Sequence, residues 1–257
     1  MTISEQQAQR YHENGFLAPV PILGPEEAAR YRQRFDGLEA RIGRPDAQLK
    51  LLDAHLEERF VWEIATHPRI LDALEAVIGP DILLLGTHFI CKYGEALQPD
   101  AFIAWHQDLT YWGLEPPVAI TAWYAIDDCD LGNGCMQMIP GSHRSGISEH
   151  GKSERVGNML RINQAVALDP ADERRAVDVV LRAGEVSLHD GLVVHGSPPN
   201  RSGRRRCGLA SKYVPAHVRQ VAERSHTRSK AIVVRGEDRQ QHFAPLAPPF
   251  RQGGSPG

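Results

Sequence analysis

The sequence lacks the features that tie a protein to membranes, nucleic acids or disulfide scaffolds. No hydrophobic run approaches the ~18 residues that a membrane-spanning helix requires, and the segment MTISEQQAQRYHENG lacks the apolar core of a signal peptide. The four cysteines form no CxxC pair, which argues against a zinc knuckle or a small disulfide scaffold. Because the formal net charge is −3, we expect no nucleic-acid partner. We therefore predict a cytoplasmic protein with neither a membrane nor a nucleic-acid partner.

The composition is that of an ordinary globular domain. Hydrophobic residues make up 42% and charged residues 24% of the 257 residues, and one domain can have this length. We predict a single domain over 1–257. It has a helical N-terminal third at about 1–80, a β-core at about 81–215 and a C-terminal extension over 216–257.

Helix signals are concentrated in the first third. Ser4 and Gln7 form a capping-box pattern, which predicts a helix that runs to about Asn14 and stops at Gly15. A short strand is predicted over 16–20. Gly24 and Pro25 open a second predicted helix, and another covers 65–78.

Short β-type runs follow, separated by Gly, Pro, Asn and Asp. They cover 82–85, 89–93, 117–126, 135–139, 185–188, 192–194 and 207–214. Several short strands with turn signals between them favour a β-sandwich or barrel over a βαβ layout. The fold class is therefore mainly β with flanking α.

Three residues form a candidate metal site. His106 and Asp108 are two apart, so both would face the same side of a strand. His195 follows the apolar run 191–194. Two histidines and one carboxylate leave open positions on an iron(II) ion, as a non-heme oxygenase needs. A single His-x-Asp is expected by chance in a chain with 12 histidines, so its weight depends on the surrounding sequence.

That surrounding sequence resembles the phytanoyl-CoA dioxygenase family of iron(II)- and 2-oxoglutarate-dependent oxygenases. The likeness runs from the YHENGF phrase at 11–16 to about Pro215. Four segments carry it: WHQDLTYW (105–112), NG followed by PGSH (133–143), GEVSLHDG (184–191) and HGSPPNRS (195–202), which continues to Arg206.

The resemblance implies a double-stranded β-helix, also called a jelly-roll or cupin-like barrel. It assigns Fe(II) to His106, Asp108 and His195, and 2-oxoglutarate to Arg206 and Ser197. A guanidinium suits this role because it offers two parallel donors to a carboxylate. Lys92 is a further candidate cosubstrate contact. The expected reaction hydroxylates a C–H bond of a small molecule with O₂, releasing succinate and CO₂. Because Asp108 occupies the carboxylate position, halogenation is disfavoured.

Several further residues have candidate roles. Trp112 is a candidate substrate contact, with core packing as the alternative. We interpret Arg205 as a solvated charge and leave Arg204 undecided. We expect structural roles from His189 and His143, packing from Trp105 and Tyr111, and a turn with φ > 0 at Gly134 after Asn133. The connection 142–165 is a candidate lid.

Two rival functions remain, a metal-dependent hydrolase and a non-catalytic ligand-binding protein on the same barrel. Neither the substrate nor the oligomeric state can be read from the sequence. One hint concerns a group of aromatic residues, which would suit a small cationic ligand through cation–π contacts. The group comprises Trp105, Tyr111, Trp112, Trp123 and Tyr124.

Overall fold

The structure is a computed structural model that describes residues 3–44, 47, 50–225 and 229–250. The helices are α1 (Glu5–Asn14), α2 (Pro25–Ile42), α3 (Arg59–Ala65), α4 (Pro68–Ile78) and α5 (Pro170–Glu173). The strands are β1 (Phe16–Pro21), β2 (Ile82–Lys92), β3 (Ile103–His106), β4 (Leu114–Glu115), β5 (Ile120–Ala125), β6 (Met136–Met138), β7 (Gly151–Lys152), β8 (Gln164–Ala165), β9 (Val177–Val179), β10 (Glu185–Asp190), β11 (His195–Ser197), β12 (Arg206–Pro215), β13 (Arg219–Gln220), β14 (Lys230–Arg235) and β15 (Ala244–Pro245). None of the helices in these ranges is long and apolar enough to cross a bilayer.

The predicted capping box at the start of α1 is confirmed. The Ser4 hydroxyl accepts the backbone N–H of Gln7, and the Gln7 side chain accepts the N–H of Ser4. Gly15 ends the helix in the left-handed conformation with φ 81°. The chain can therefore turn directly into β1, which pairs with β10.

Two sheets organise the described part of the chain. The major sheet has the order β1-β10-β5-β12-β2-β14-β15, and the minor sheet has the order β3-β11-β6-β9. All neighbouring pairs in both sheets are antiparallel except β14 with β15. The fold is mainly β with helices, as predicted.

The two faces of the major sheet have different partners. Phe35, Trp62 and Leu74 from the helices pack with Phe89 and Tyr213 from the sheet. On the opposite face, a second cluster brings residues of β5 and β12 against β6 of the minor sheet: Trp123, Ala210 and Met138. Since successive strand residues alternate between faces, the strands of the major sheet present one set of side chains to the helices and the other to the minor sheet.

The strand boundaries correct three sequence predictions. β2 is one eleven-residue strand where two short runs were predicted. The run 192–194 is a turn, because the backbone N–H groups of Leu192 and Val193 both bond to Asp190. The β-core also extends beyond 215 into the expected C-terminal extension, since β14 pairs with β2 and buries Ala231 and Ile232.

Candidate metal centre

His106 and His195 lie opposite each other on the neighbouring strands β3 and β11. Their ring centroids are 4.1 Å apart and both side chains are buried. Nδ1 of His106 lies 2.8 Å from the Ala104 carbonyl, and Nδ1 of His195 lies 2.9 Å from the Val193 carbonyl. A carbonyl can only accept, so each Nδ1 carries the proton. Each Nε2 therefore keeps a free lone pair, which is what a metal ligand needs.

Asp108 completes the cluster from outside the strand. β3 ends at His106, and Asp108 begins a short 3₁₀ helix that ends at Tyr111. The prediction that a strand carries both ligands is therefore wrong at Asp108. The backbone stays extended at Gln107, which keeps His106 and Asp108 on one side. As a result, Asp108 Oδ1 lies 3.6 Å from His106 Nε2.

The second oxygen of Asp108 is held by Thr121 on β5. The Thr121 hydroxyl donates to Asp108 Oδ2 at 2.6 Å, which leaves Oδ1 free to face the histidines. Ligand atoms of His106, Asp108 and His195 all lie within 4.8 Å of one another. Two neutral imidazole nitrogens and one carboxylate oxygen suit a divalent iron ion. The residues present therefore fit the metal that the sequence implied.

The charge states of the ligands agree with this fit. Burial by itself raises the pKa of the Asp108 carboxyl, but the neighbouring imidazoles of His106 and His189 outweigh burial and hold it well below its usual range. Burial, together with the neighbouring histidines, lowers the pKa of His195 well below its ordinary value. Asp108 is thus anionic and His195 neutral near pH 7, the forms that bind metal.

Sequence reasoning missed the residues that fix this turn. The Gln107 side chain is fully buried and bonds to three backbone groups, donating to Gly146 O and Leu192 O and accepting the N–H of Ser148. His150 Nε2 accepts the backbone N–H of Gln107 at 3.1 Å. The position of Gln107 between two candidate ligands was the only available signal. Its partners lie about 40 and 85 residues away.

His189, for which a structural role is predicted, lies beside the candidate ligands Asp108 and His195. It lies in β10 and is 1% exposed, with Nε2 3.6 Å from Asp108 Oδ2. Neither ring nitrogen has a hydrogen-bond partner in the described part of the chain. A third imidazole therefore packs behind the carboxylate, 4.8 Å from the His195 ring.

A cavity of about 180 Å³ opens in front of the three ligands, and Ser197, Arg206 and Trp112 line it too. Arg206 begins β12 and is 2% exposed, with its guanidinium 4.5 Å above the Trp123 ring. Its Nε has no partner, and the side chain makes no ion pair with any residue that the structure describes. An uncompensated buried cation costs several kcal/mol, about 3–5 where a pair has been broken. The arrangement therefore calls for an anion from outside the chain.

Lys92 lies behind Ser197 and does not line the cavity. Its Nζ donates to Gly134 O at 2.7 Å, to the Ser197 hydroxyl at 2.9 Å and to the Pro198 carbonyl. These three bonds use all three ammonium donors. Burial, and then the nearby Arg206, lower the pKa of Lys92 to about 6, whereas the three oxygen acceptors around Nζ favour the ammonium form.

Gly134 is required by this arrangement. Its φ is +71°, as predicted, and an added Cβ would come within 2.8 Å of Lys92 Nζ and 2.5 Å of the Pro198 carbonyl. Asn133 shapes the same turn by accepting from Asp130 N and donating to the Asp128 carbonyl.

The arginine triplet divides into three environments. Arg204 is exposed and pairs with Asp130. The prediction that Arg205 is a solvated charge is wrong. Its side chain is largely buried against three carboxylates: Asp127, Glu39 and Asp36. Burial lowers the pKa of its guanidinium, but bonding to Asp127 outweighs burial and the net shift is upward. Only Arg206 faces the cavity.

The aromatic residues do not form a cage for a cationic ligand. Lys212 Nζ lies 4.6 Å from the Trp112 ring centroid, and Arg206 covers Trp123. Tyr124 packs in the helix-side cluster, and Trp105 does not line the cavity. The side chain of Tyr111 lies outside the described part of the structure. The hint of a cationic substrate is therefore not supported.

The connection 142–165 reaches the cavity with its second half. Met159, Leu160, Arg161 and Gln164 line the cavity. The connection contains regular structure, because β7 pairs with β8 and a 3₁₀ turn covers Ser142–Ser145. His143, as expected, has a structural contact, with Nε2 3.2 Å from the His12 carbonyl.

Comparison with known proteins identifies the family. Residues 11–208 match the family described as Phytanoyl-CoA dioxygenase (PhyH). The chain belongs to the phytanoyl-CoA dioxygenase family. It is therefore a non-heme dioxygenase dependent on Fe(II) and 2-oxoglutarate, with O₂ and a small molecule as the other reactants.

Individual relatives are distant in sequence but cover most of the chain. Peroxisomal phytanoyl-CoA dioxygenase of Rattus norvegicus is 25% identical, over 86% of this chain and 71% of its own length. A probable alpha-ketoglutarate-dependent hypophosphite dioxygenase of Stutzerimonas stutzeri is 28% identical, over 82% of this chain and 78% of its own length. Among solved structures, the non-heme monooxygenase ThoJ is 31% identical, and the match covers 94% of this chain and 87% of the ThoJ chain with a TM-score of 0.74.

Proposed function

We propose that this dioxygenase hydroxylates a C–H bond of a small molecule, with His106, Asp108 and His195 as the three protein ligands of Fe(II). The overall change is R–H + O₂ + 2-oxoglutarate to R–OH + succinate + CO₂. The support is the donor set described above, two proton-free Nε2 atoms and one carboxylate oxygen that face one another. The bound iron supplies O₂ activation, and the protein supplies position and shielding.

Arg206 is proposed to bind the distal carboxylate of 2-oxoglutarate. Its buried guanidinium has no anion within the described structure, and it lines the same cavity as the three ligands. This unpaired cation is the observation that carries the proposal. Ser197, whose hydroxyl accepts from Lys92, can donate its own proton to the same carboxylate.

Lys92 is proposed to position Ser197 and not to touch the cosubstrate. Its three donors are taken by the oxygens of Gly134, Ser197 and Pro198. Because Lys92 fixes the Ser197 oxygen as an acceptor, the hydroxyl proton must point elsewhere. That leaves it available to a ligand in the cavity.

Thr121 and His189 are proposed to position Asp108. Thr121 bonds to Oδ2, and the His189 ring packs against the same oxygen at 3.6 Å. Together they restrict rotation of the carboxylate and keep Oδ1 directed at the two histidines. Partners of this kind commonly orient metal ligands in proteins.

The rival functions fit the cavity less well. A metal-dependent hydrolase with the same three ligands would have no use for an unpaired guanidinium in the same cavity. A non-catalytic binding protein would have no use for three ligands with an open side. The anchors Arg206 and Ser197 therefore favour an oxygenase.

Two further points are proposed with the function. The major and minor sheets, which contribute Arg206 and His195 to one cavity, would form the two halves of a double-stranded β-helix. All four cysteines are buried, and the compartment proposed for the protein is a reducing cytoplasm.

The test is anaerobic reconstitution with Fe(II) and 2-oxoglutarate, followed by O₂ and a panel of candidate substrates. We expect one atom of iron per chain and succinate release that a true substrate accelerates. The matched variant Arg206→Met should keep the iron and lose cosubstrate binding. Iron-independent hydrolysis, or wild-type 2-oxoglutarate binding in Arg206→Met, would contradict the assignment.

A further inference from the structure

A cluster of cationic side chains lies where the metal cavity opens outward. The metal cavity shares four lining residues with a second, outer cavity of about 550 Å³. We call these four residues the throat: His88, Trp112, Arg161 and Lys212. A substrate that enters from the outer cavity would pass this ring before it reaches the three ligands.

The throat has no matching negative charge. Asp108 is the only carboxylate among the described residues that line the metal cavity, and it is assigned to the iron. Asp53 is the only one that lines the described part of the outer cavity, and its Oδ1 already accepts the backbone N–H of Thr87 at 3.0 Å. Lys230 adds a further cation to the outer wall.

Lys212 and Arg161 have no carboxylate within ion-pair distance in the described ranges, and the charge of Lys212 acts on Asp108 only from farther away. Neither makes a hydrogen bond or an ion pair of 4 Å or less with any residue in the described ranges. By contrast, Arg204, Arg205 and Arg219 each pair with a carboxylate. Lys212 is half-buried, and its Nζ lies 4.6 Å from the centroid of the Trp112 ring. For Lys212, partial burial without a counter-ion has a cost that a bound anion would remove, whereas Arg161 is exposed.

Lys212 and Arg206 mark two separate anion positions. Both belong to β12, six residues apart on the face that lines the cavity, with Ala210 between them. A strand rises about 3.3 Å per residue, so their Cα atoms are about 20 Å apart. The anion assigned to Arg206 is therefore distinct from one at the throat.

We infer that the substrate carries a carboxylate or phosphate group that binds Lys212 and Arg161 at the throat. Its oxidised portion would extend inward toward His106, Asp108 and His195. This inference rests on the proposed function, because it takes the Arg206 end of the cavity to be filled by 2-oxoglutarate.

The test uses probes of one chain length and different charge. Protein loaded with Fe(II) and saturating 2-oxoglutarate under nitrogen is titrated calorimetrically with octanoate, octyl phosphate, octanamide and octylamine. We expect at least one of the two anions to bind at least about tenfold more tightly than octanamide, since hydrogen bonds to charged groups contribute that much or more. Which anion binds more tightly separates a carboxylate substrate from a phosphate one.

Variants connect the preference to the throat. Lys212→Met keeps the length of the side chain but should reduce the anion preference about tenfold. Adding Arg161→Gln to this variant should reduce any remaining anion preference further. Lys152→Met is the matched control, because it removes the same charge from the exposed β7, which lines neither cavity. This control should bind all four probes as the wild type does.

Three results would overturn the inference. In the wild type, these are that octanamide or octylamine binds as tightly as both anions, or that neither anion binds in the millimolar range. The third is that the Lys212→Met, Arg161→Gln double variant keeps an unchanged anion preference. Binding of 2-oxoglutarate is titrated first in every protein. If the wild type does not bind it, the proposed function fails. If it binds normally but the probes show no anion preference, only the inference fails.

Discussion

Replacing Arg206 by methionine should separate cosubstrate binding from stability. Methionine preserves much of the side-chain length over Trp123 but removes the charge. Because Arg206 has no carboxylate partner in the described structure, the cosubstrate-free protein loses no ion pair. The lost contact with Trp123, about 0.5–2 kcal/mol, is offset by the removal of an uncompensated buried charge. Without cosubstrate, we expect the unfolding free energies of Arg206→Met and the wild type to lie within about 2 kcal/mol of each other.

The effect on 2-oxoglutarate should be much larger. Loss of a desolvated charge pair costs about 3–5 kcal/mol, which is a factor of roughly one hundred to several thousand in affinity. At a concentration 100 times the wild-type Kd, the cosubstrate stabilises the wild type by about 2.7 kcal/mol. A variant that binds one hundred times more weakly gains about 0.4 kcal/mol at that concentration. With about 2–4 °C per kcal/mol, the Tm should rise by about 5–10 °C in the wild type and about 1 °C in Arg206→Met.

Arg205→Met is the matched control from the adjacent position. Arg205 bonds to Asp127 and Glu39, both largely buried. Its loss leaves only the exposed Arg32 and Arg44 to compensate them, and should cost up to about 3–5 kcal/mol of stability. Its 2-oxoglutarate-induced rise in Tm should stay as in the wild type. The assay is thermal unfolding of iron-loaded protein under nitrogen, with and without 2-oxoglutarate. If Arg206→Met is as unstable as Arg205→Met and still responds to 2-oxoglutarate, then Arg206 is a structural cation and the reasoning is refuted.

Three more changes test the rest of the site. Asp108→Ala removes the only anionic ligand, so iron stoichiometry and succinate release should both fall nearly to zero; a folded variant with full iron content would exclude Asp108 as a ligand. Lys92→Met leaves the oxygens of Gly134, Ser197 and Pro198 without their donor, and urea unfolding should show a loss of about 3 kcal/mol or more; unchanged stability would contradict the bonding described. If 142–165 is a lid, proteolysis at Arg155 or Arg161 should slow when Fe(II), 2-oxoglutarate and substrate are present without O₂; equal cleavage rates would argue against closure.

The local parts of the site could be predicted from the sequence. The two-residue spacing of His106 and Asp108 places both side chains on one side of an extended chain, whatever lies around them. The same alternation puts Arg205 and Arg206 on opposite faces. The capping box at Ser4 and the positive φ of Gly134 are local as well. Each depends on backbone geometry over a few residues, and the structure confirms them.

The partners of these residues were decided by the tertiary structure. Arg205 was expected in solvent because nothing near it in sequence shows that α2 brings Asp36 and Glu39 against it. Lys92 finds its acceptors 42, 105 and 106 residues away, so its use as a support for Ser197 could not be inferred from its strand position.

The same distinction applies to the substrate. Lys212 and Arg161 are ordinary charges in the sequence, 51 positions apart, and only the fold makes both of them line the same two cavities. The sequence thus predicted the mainly β fold class, the three candidate metal ligands and the proposed cosubstrate anchor, because short spacings and motifs indicate them. Which charges are compensated and which are left for a ligand depends on contacts between distant segments, and only the folded chain decides that.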